Sequence, residues 1–188
     1  LKREQVAKQD WRRAQEEIPP LSRKAAFDVT SEFGQSDRVP RRELRYPAQV
    51  ENWLIDWGHK LKSPGKMILI GSGALLWHAA QRGVEAPLPE NSMDVDPITR
   101  DDEVAELCYD GHIGSPFENE NGWHINLMPH DALDGLPAGW RDRVSQKAYG
   151  LLSVEVPSPP DLIAPKLKRG ERRDLAHHQW ALYNGLVT

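Results

Sequence analysis

Residues 67–73, Met-Ile-Leu-Ile followed by Gly-Ser-Gly, constrain the chain more than any other stretch. A short apolar run bounded by glycine reads as a buried strand. The next segment, ALLWHAAQRG (74–83), is built of helix formers and ends at Gly83, where a C-terminal glycine is expected. Strand, turn and helix therefore follow one another without a linker. Beyond a Pro-rich loop (86–92), MDVDPIT (93–99) alternates polar and apolar residues and predicts another strand. DDEVAELCYD (101–110) predicts a helix whose first-turn carboxylates suit the helix dipole. A turn-like NENG leads into GWHINLMP (122–129), expected as a second long strand. SVEV (153–156) reads as a short strand, PSPPDL (157–162) as the start of a helix, and 166–182 as a helical C-terminal region. The alternation of strands and helices places the domain in the α/β class.

Upstream the texture differs. Residues 1–17 lack Gly and Pro and predict a highly charged helix with a thin stripe of Val6, Ala7, Trp11 and Ala14. Pro19, Pro20, Gly34, Pro40 and Pro47 punctuate the segment that follows, which reads as an extended arm. Helical spacing returns over 48–61, with Val50, Trp53, Leu54 and Trp57 on one face. The expected division is a charged arm over 1–47 and a folded domain over 48–188.

Composition narrows the setting. At 188 residues, 39% hydrophobic and 28% charged, the chain can bury one ordinary core, and no apolar run approaches membrane-spanning length. The Lys- and Arg-rich opening has no apolar segment of the signal-peptide kind, and the sequence opens on Leu, which leaves a start upstream open. Cys108 is the single cysteine, which excludes an internal disulfide and a cysteine-only zinc site and suits a reducing cytoplasm. A net charge of −4 means that any nucleic-acid contact must come from a local basic patch, and KLKRGERR (166–173) is the one concentrated candidate.

Asp94 and Asp96 stand two apart on a predicted strand, so both carboxylates leave the same face. Two such charges repel unless a cation lies between them. Mg²⁺ or Mn²⁺ suits this donor set, together with water and phosphate oxygens. Glycines at a strand-to-helix turn let backbone N–H groups approach a phosphate, and Ser72 could donate its hydroxyl there too. Together these features predict a metal–triphosphate site. Each has a plainer reading, as loop geometry at 71–73 and as a solvated strand edge at 94–96.

The pattern ILIGSGALLWH…NSMDVDPIT resembles the signature of the DNA polymerase β-like nucleotidyltransferase superfamily. DLIAPKLKRGERRDLAHHQ resembles the C-terminal motif of its AbiEii-type branch, the toxin-like abortive-infection group. The resemblance spans about 67–182. It implies a nucleotidyltransferase fold with a mixed sheet flanked by helices and the N-terminal helical arm appended. It implies an NTP substrate, with Gly71 and Ser72 on its phosphates, Asp94 and Asp96 on the metal, and Lys166 on a phosphate. Asp174 would support the site or position Lys166. An RNA end (tRNA in toxin relatives) or a protein hydroxyl would be the acceptor, in a toxin–antitoxin or phage-defence setting with a cognate antitoxin. His78 matches a histidine often found in the helix after the glycines, in either a structural or a functional role.

The departures from that pattern are specific. Asn126 stands where a third carboxylate is expected, and Asn cannot act as a base; Glu118 or Glu120 could substitute. Glu90 lies near the place of a usual Arg, and His177 takes the place of a second Asp. Pro165 implies that a helix starts or kinks beside Lys166. His124, His130, His177 and His178 show no zinc spacing. Trp53 and Trp57 read as packing residues, while Trp123, Trp140 and Trp180 could line a pocket. Two functions therefore stand side by side: metal-dependent nucleotide transfer, and a catalytically degenerate module that binds a nucleotide or partner. A third places the work in residues 1–60, as an arm that docks on an oligomer or antitoxin.

Overall fold

The computed structural model describes residues 43–90 and 92–188. The charged helix expected over 1–17, and the arm expected to reach residue 47 as far as residue 42, lie outside them. In chain order the elements are α1 (Pro47–Lys60), β1 (Gly65–Ile70), α2 (Gly71–Gln81), β2 (Asp94–Ile98), α3 (Asp102–Asp110), α4 (Pro116–Asn121), β3 (His124–Ile125), β4 (Ser145–Tyr149), β5 (Leu152–Val156), α5 (Pro159–Arg169) and α6 (Arg172–Tyr183). Two short 3-10 turns, His130–Gly135 and Trp140–Arg143, lie between β3 and β4. The strands form one mixed sheet in the order β3-β2-β1-β5-β4. β1 runs antiparallel to β2 and parallel to β5, β2 is parallel to β3, and β4 and β5 make an antiparallel hairpin. This is the α/β class, a mixed sheet flanked by helices.

Alternation along β1 and β2 assigns the two faces. Met67, Leu69 and Val95 belong to the main core, with α1 supplying Val50, Trp53, Leu54 and Trp57 and α2 supplying Leu75, Leu76 and Trp77. Ile68 and Ile70 point the other way, into a smaller cluster with Ile98, Leu133 and Trp140 beneath the 129–144 segment. Ile70 is paired with Asp96 in the register, so Asp94 and Asp96 share that second face. Among the described residues, no helix is long and apolar enough to cross a membrane.

The structure corrects several expectations. The turn expected over Gly-Ser-Gly contracts to Gly71, whose φ is 73°, and Ser72 and Gly73 already lie in the helix that starts there. The NENG segment lies largely within α4, which Ser115 caps by accepting from Glu118 N at 3.2 Å. The long strand over 122–129 shrinks to His124–Ile125. Asn126 N still donates to Val95 O at 2.9 Å, but the return bond would need an N–H at position 97, and Pro97 has none. The C-terminal region divides into two helices at Gly170, whose φ is 70°. Pro165 lies inside α5 rather than at its start. β4 was not foreseen because only Tyr149 of its residues is buried, and an edge strand of that kind shows no alternation.

α1 and β4 approach so closely that one position tolerates no side chain. A Cβ on Gly58 would lie 1.8 Å from the carbonyl oxygen of Tyr149. Beside this contact, Tyr149 donates its hydroxyl to Glu51 at 2.8 Å and accepts from Trp77 Nε1 at 2.8 Å, and Lys147 pairs with Glu51. Gly58→Ala is expected to cost about 3 kcal/mol of stability, because both neighbours are backbone held in regular structure. A urea midpoint equal to that of the unchanged chain would contradict this packing.

Candidate functional site

At the end of β1 the chain turns directly into α2 through Gly71, in a left-handed conformation with φ of 73°. A Cβ there would lie 2.1 Å from Asp96 Oδ2. Backbone geometry and the neighbouring carboxylate therefore both demand glycine. Gly73 has a related reason: its Cβ would press on Val95 of β2 at 2.8 Å. The small residues of this turn bring the start of α2 against the carboxylate-bearing strand.

A cleft of about 310 Å³ opens at this point. Ser72, Asp94, Asp96, Lys166, Arg169 and Arg173 supply its polar lining, and Met128, Ala132, Leu136 and Leu162 an apolar wall. The structure thus gathers Gly71, Ser72, Asp94, Asp96 and Lys166 around one space. Asp174 stands behind it, fully buried. Arg169 grips the Asp174 carboxylate with two bonds of 2.7 Å, and Lys166 Nζ lies 3.6 Å from it. Hydrogen bonding from Arg169 holds the Asp174 carboxyl below the usual carboxylate range. Burial draws the Lys166 ammonium below the usual lysine range, opposed by Asp174.

The carboxylate pair is under electrostatic stress. The Asp96 carboxyl is pushed up to about 6, first by burial and then by repulsion from Asp94. Asn126 donates Nδ2 to Asp96 Oδ1 at 2.9 Å, and Ser92 Oγ bonds Asp94 Oδ1 at 3.0 Å. Asn126 therefore occupies the place beside Asp96 where a third carboxylate was sought, and in this orientation it offers a donor. Glu118 does not fill the gap. It lies 3.2 Å from His124 Nδ1 and accepts from Gly114 N. Glu120 lines a different depression, beside Trp53 and Trp123. Among the described residues, no group of three or more His, Cys, Asp or Glu side chains is placed to hold a metal ion. The two aspartates nonetheless fit a hard divalent cation that keeps several waters, because a cation would relieve the repulsion already present.

The Ser72 hydroxyl points elsewhere than at the expected phosphate. Glu90 O can only accept, so the 3.0 Å contact from His177 Nε2 places a proton on that nitrogen. Burial lowers the His177 pKa, so the ring is neutral at pH 7 and Nδ1 is an acceptor. The Ser72 hydroxyl then donates to Nδ1 at 3.2 Å while accepting from Lys166 Nζ at 3.1 Å. Its proton is committed away from the cleft. His78 is structural: it is buried and donates Nε2 to Pro157 O at 2.8 Å. Trp123, Trp140 and Trp180 are all buried packing residues, and Trp123 also borders the second depression.

Three features escaped the sequence reading. Most of the apolar wall comes from residues 128–136, a 3-10 turn and its flanks, which carry no periodic signal. The Arg169–Asp174 clasp crosses the break at Gly170. The Ser72–His177 contact joins residues 105 positions apart, and its only trace was a histidine in an acidic position.

A family model described as a nucleotidyltransferase of unknown function (DUF6036) matches residues 54–184. The match takes in the sheet, the cleft and both C-terminal helices, and the chain belongs to that family. No curated protein and no solved structure matches it significantly.

A carboxyl whose pKa is raised on folding binds its proton more tightly in the folded state, so stability falls as pH climbs from the unfolded value of 3.8 to about 6 and then levels off. In metal-free buffer Asp96→Asn is expected to gain roughly 3 kcal/mol near pH 8, and well under about 1 kcal/mol near pH 4. Urea unfolding at the two pH values checks this. Equal gains at both would mean that Asp96 is not charge-stressed.

Proposed function

We propose, taking that family membership as the premise, that the chain transfers a nucleoside monophosphate from an NTP to a hydroxyl of an RNA, in the manner of toxin-like AbiEii relatives. The observation that carries the reading is the meeting of three elements around one cleft: the Asp94–Asp96 pair, the left-handed Gly71 turn and Lys166. Asp94 and Asp96 would hold Mg²⁺ or Mn²⁺. When bound, the ion would neutralise charge on the phosphates and orient them for displacement of pyrophosphate.

The protein's own residues divide the remaining work. The start of α2 offers the triphosphate backbone amides and the positive end of a helix dipole. Lys166 and the exposed Arg173 face the cleft and would balance charge on the departing pyrophosphate. Arg169 lines the same cleft, but its guanidinium is committed to Asp174, which leaves it a support. The apolar wall of Met128, Ala132 and Leu136 suits the flat face of a base and supplies no side-chain polar group that would discriminate between bases. Exposed Lys168 and Arg172 adjoin the cleft-lining residues on the two C-terminal helices and suit an RNA backbone. A cytoplasmic setting and control by a cognate antitoxin belong to the same proposal, as does an N-terminal arm that takes part in assembly.

One observation favours a second reading. Asn126 donates to Asp96 where a carboxylate base would stand, and this suits a degenerate module that binds a nucleotide without transferring it. Incubation with Mn²⁺, NTP labelled at the α-phosphate, total RNA and a protein extract separates the possibilities. Transfer predicts label on RNA, and loss of at least about 100-fold in Asp94→Ala and Lys166→Ala. Label on protein alone would move the acceptor. Bound nucleotide without label on either would establish the second reading.

A further inference from the structure

The polar atoms of Lys166, Ser72, His177 and Glu90 form a single directed chain. Lys166 Nζ donates to Ser72 Oγ at 3.1 Å, Ser72 donates to His177 Nδ1 at 3.2 Å, and His177 Nε2 donates to Glu90 O at 3.0 Å. Each side chain in it is buried, except that of Glu90, which contributes only its carbonyl. The Glu90 carbonyl cannot donate, which puts a proton on Nε2, and the neutral state that burial favours leaves Nδ1 as the acceptor. Glu90 is the one non-glycine residue with positive φ among those described, at 49°, and its side chain pairs with Arg172 at 3.0 Å.

We infer that His177 is a positioning residue: by taking the Ser72 proton it turns a serine lone pair toward Lys166 and so holds the ammonium at the phosphate side of the cleft. This rests on the transfer reading for what the ammonium meets, but not for the positioning itself. Asp174 attracts the ammonium from 3.6 Å but gives its two short bonds to Arg169, so it favours the charge of Lys166 without fixing where the ammonium points. Without the Ser72 contact, Lys166 would keep that ion pair but no short directional bond, with Arg169 and Arg173 opposing its charge and Asp96 favouring it. His177 thus serves the lysine indirectly, through a serine.

Side-chain mimicry gives the test its resolution. The Asn amide oxygen can stand where Nδ1 does and accept from Ser72, whereas the Gln amide nitrogen can stand where Nε2 does and reach only Glu90. The full chain, its His177→Asn, His177→Gln and His177→Leu variants, and a His78→Leu control would be compared in two measurements. One is the affinity for a non-hydrolysable NTP with Mg²⁺. The other is the rate at which trace acetic anhydride acetylates Lys166, read by mass spectrometry. His177→Leu and His177→Gln are expected to weaken nucleotide binding about ten-fold and to speed Lys166 acetylation several-fold. His177→Asn should stay within about three-fold of the unchanged chain in both. His78→Leu should lower the melting temperature and leave both readouts where they were. Unchanged acetylation in His177→Leu, or His177→Asn behaving like His177→Leu, would overturn the inference. Absence of nucleotide binding by the unchanged chain would sink the transfer reading, while the acetylation pattern would still decide the role of His177.

Discussion

The carboxylate of Asp96 rests against the α-carbon of Gly71, and this contact organises the site. It requires a residue without a side chain at the end of β1, in a conformation that other residues rarely adopt. It also requires that β2 run antiparallel beside β1 in a register that pairs Ile70 with Asp96. Once those conditions hold, the start of α2 must face the two carboxylates across a small gap. The repulsion between Asp94 and Asp96 is then a standing cost in the folded chain, and a cation would relieve it. A site that is electrostatically uncomfortable when empty is poised for a ligand of opposite charge.

The C-terminal helices supply the opposite sign in a controlled form. Asp174, wholly buried, is an anion that Arg169 satisfies with two bonds, and this clasp ties α5 to α6 across Gly170. Lys166 is left with incomplete compensation and a place in the cleft wall. Buried charges are retained at such expense chiefly where chemistry or specificity needs them. The three-residue spacing of Lys166 and Arg169 puts both on one side of α5, one toward Ser72 and the other toward Asp174. That division explains why a single basic run reads ambiguously in the sequence. Part of it faces the cleft, part is clasped, and part is solvated.

Much of this was legible in the chain itself, because the signals were local. A four-residue apolar run before glycine read as a short strand by its length and composition, and Asp-X-Asp with strand alternation placed both acids on one face. The helix at 48–61 showed its buried stripe directly, since Trp53 and Trp57 recur at helical spacing and stack edge to face. What failed was non-local. The strand over 122–129 alternates correctly, yet its partner β2 carries Pro97, and a missing N–H on one strand cannot be seen in the other. The helix at 116–121 hid because none of its residues is fully buried, so it shows no apolar face. The proton direction at Ser72 depended on a carbonyl at residue 90 and a ring at 177, and no spacing rule joins them.

Under the function proposed above, Asp94, Asp96 and the Gly71 turn make up one metal-dependent nucleotide site. Calorimetric titration of a non-hydrolysable NTP, with and without Mg²⁺, into the chain and into its Asp94→Ala/Asp96→Ala double variant tests it most directly. Saturable binding that needs the metal and disappears in the double variant is expected. Binding of equal strength in both proteins, or none in either, would contradict it.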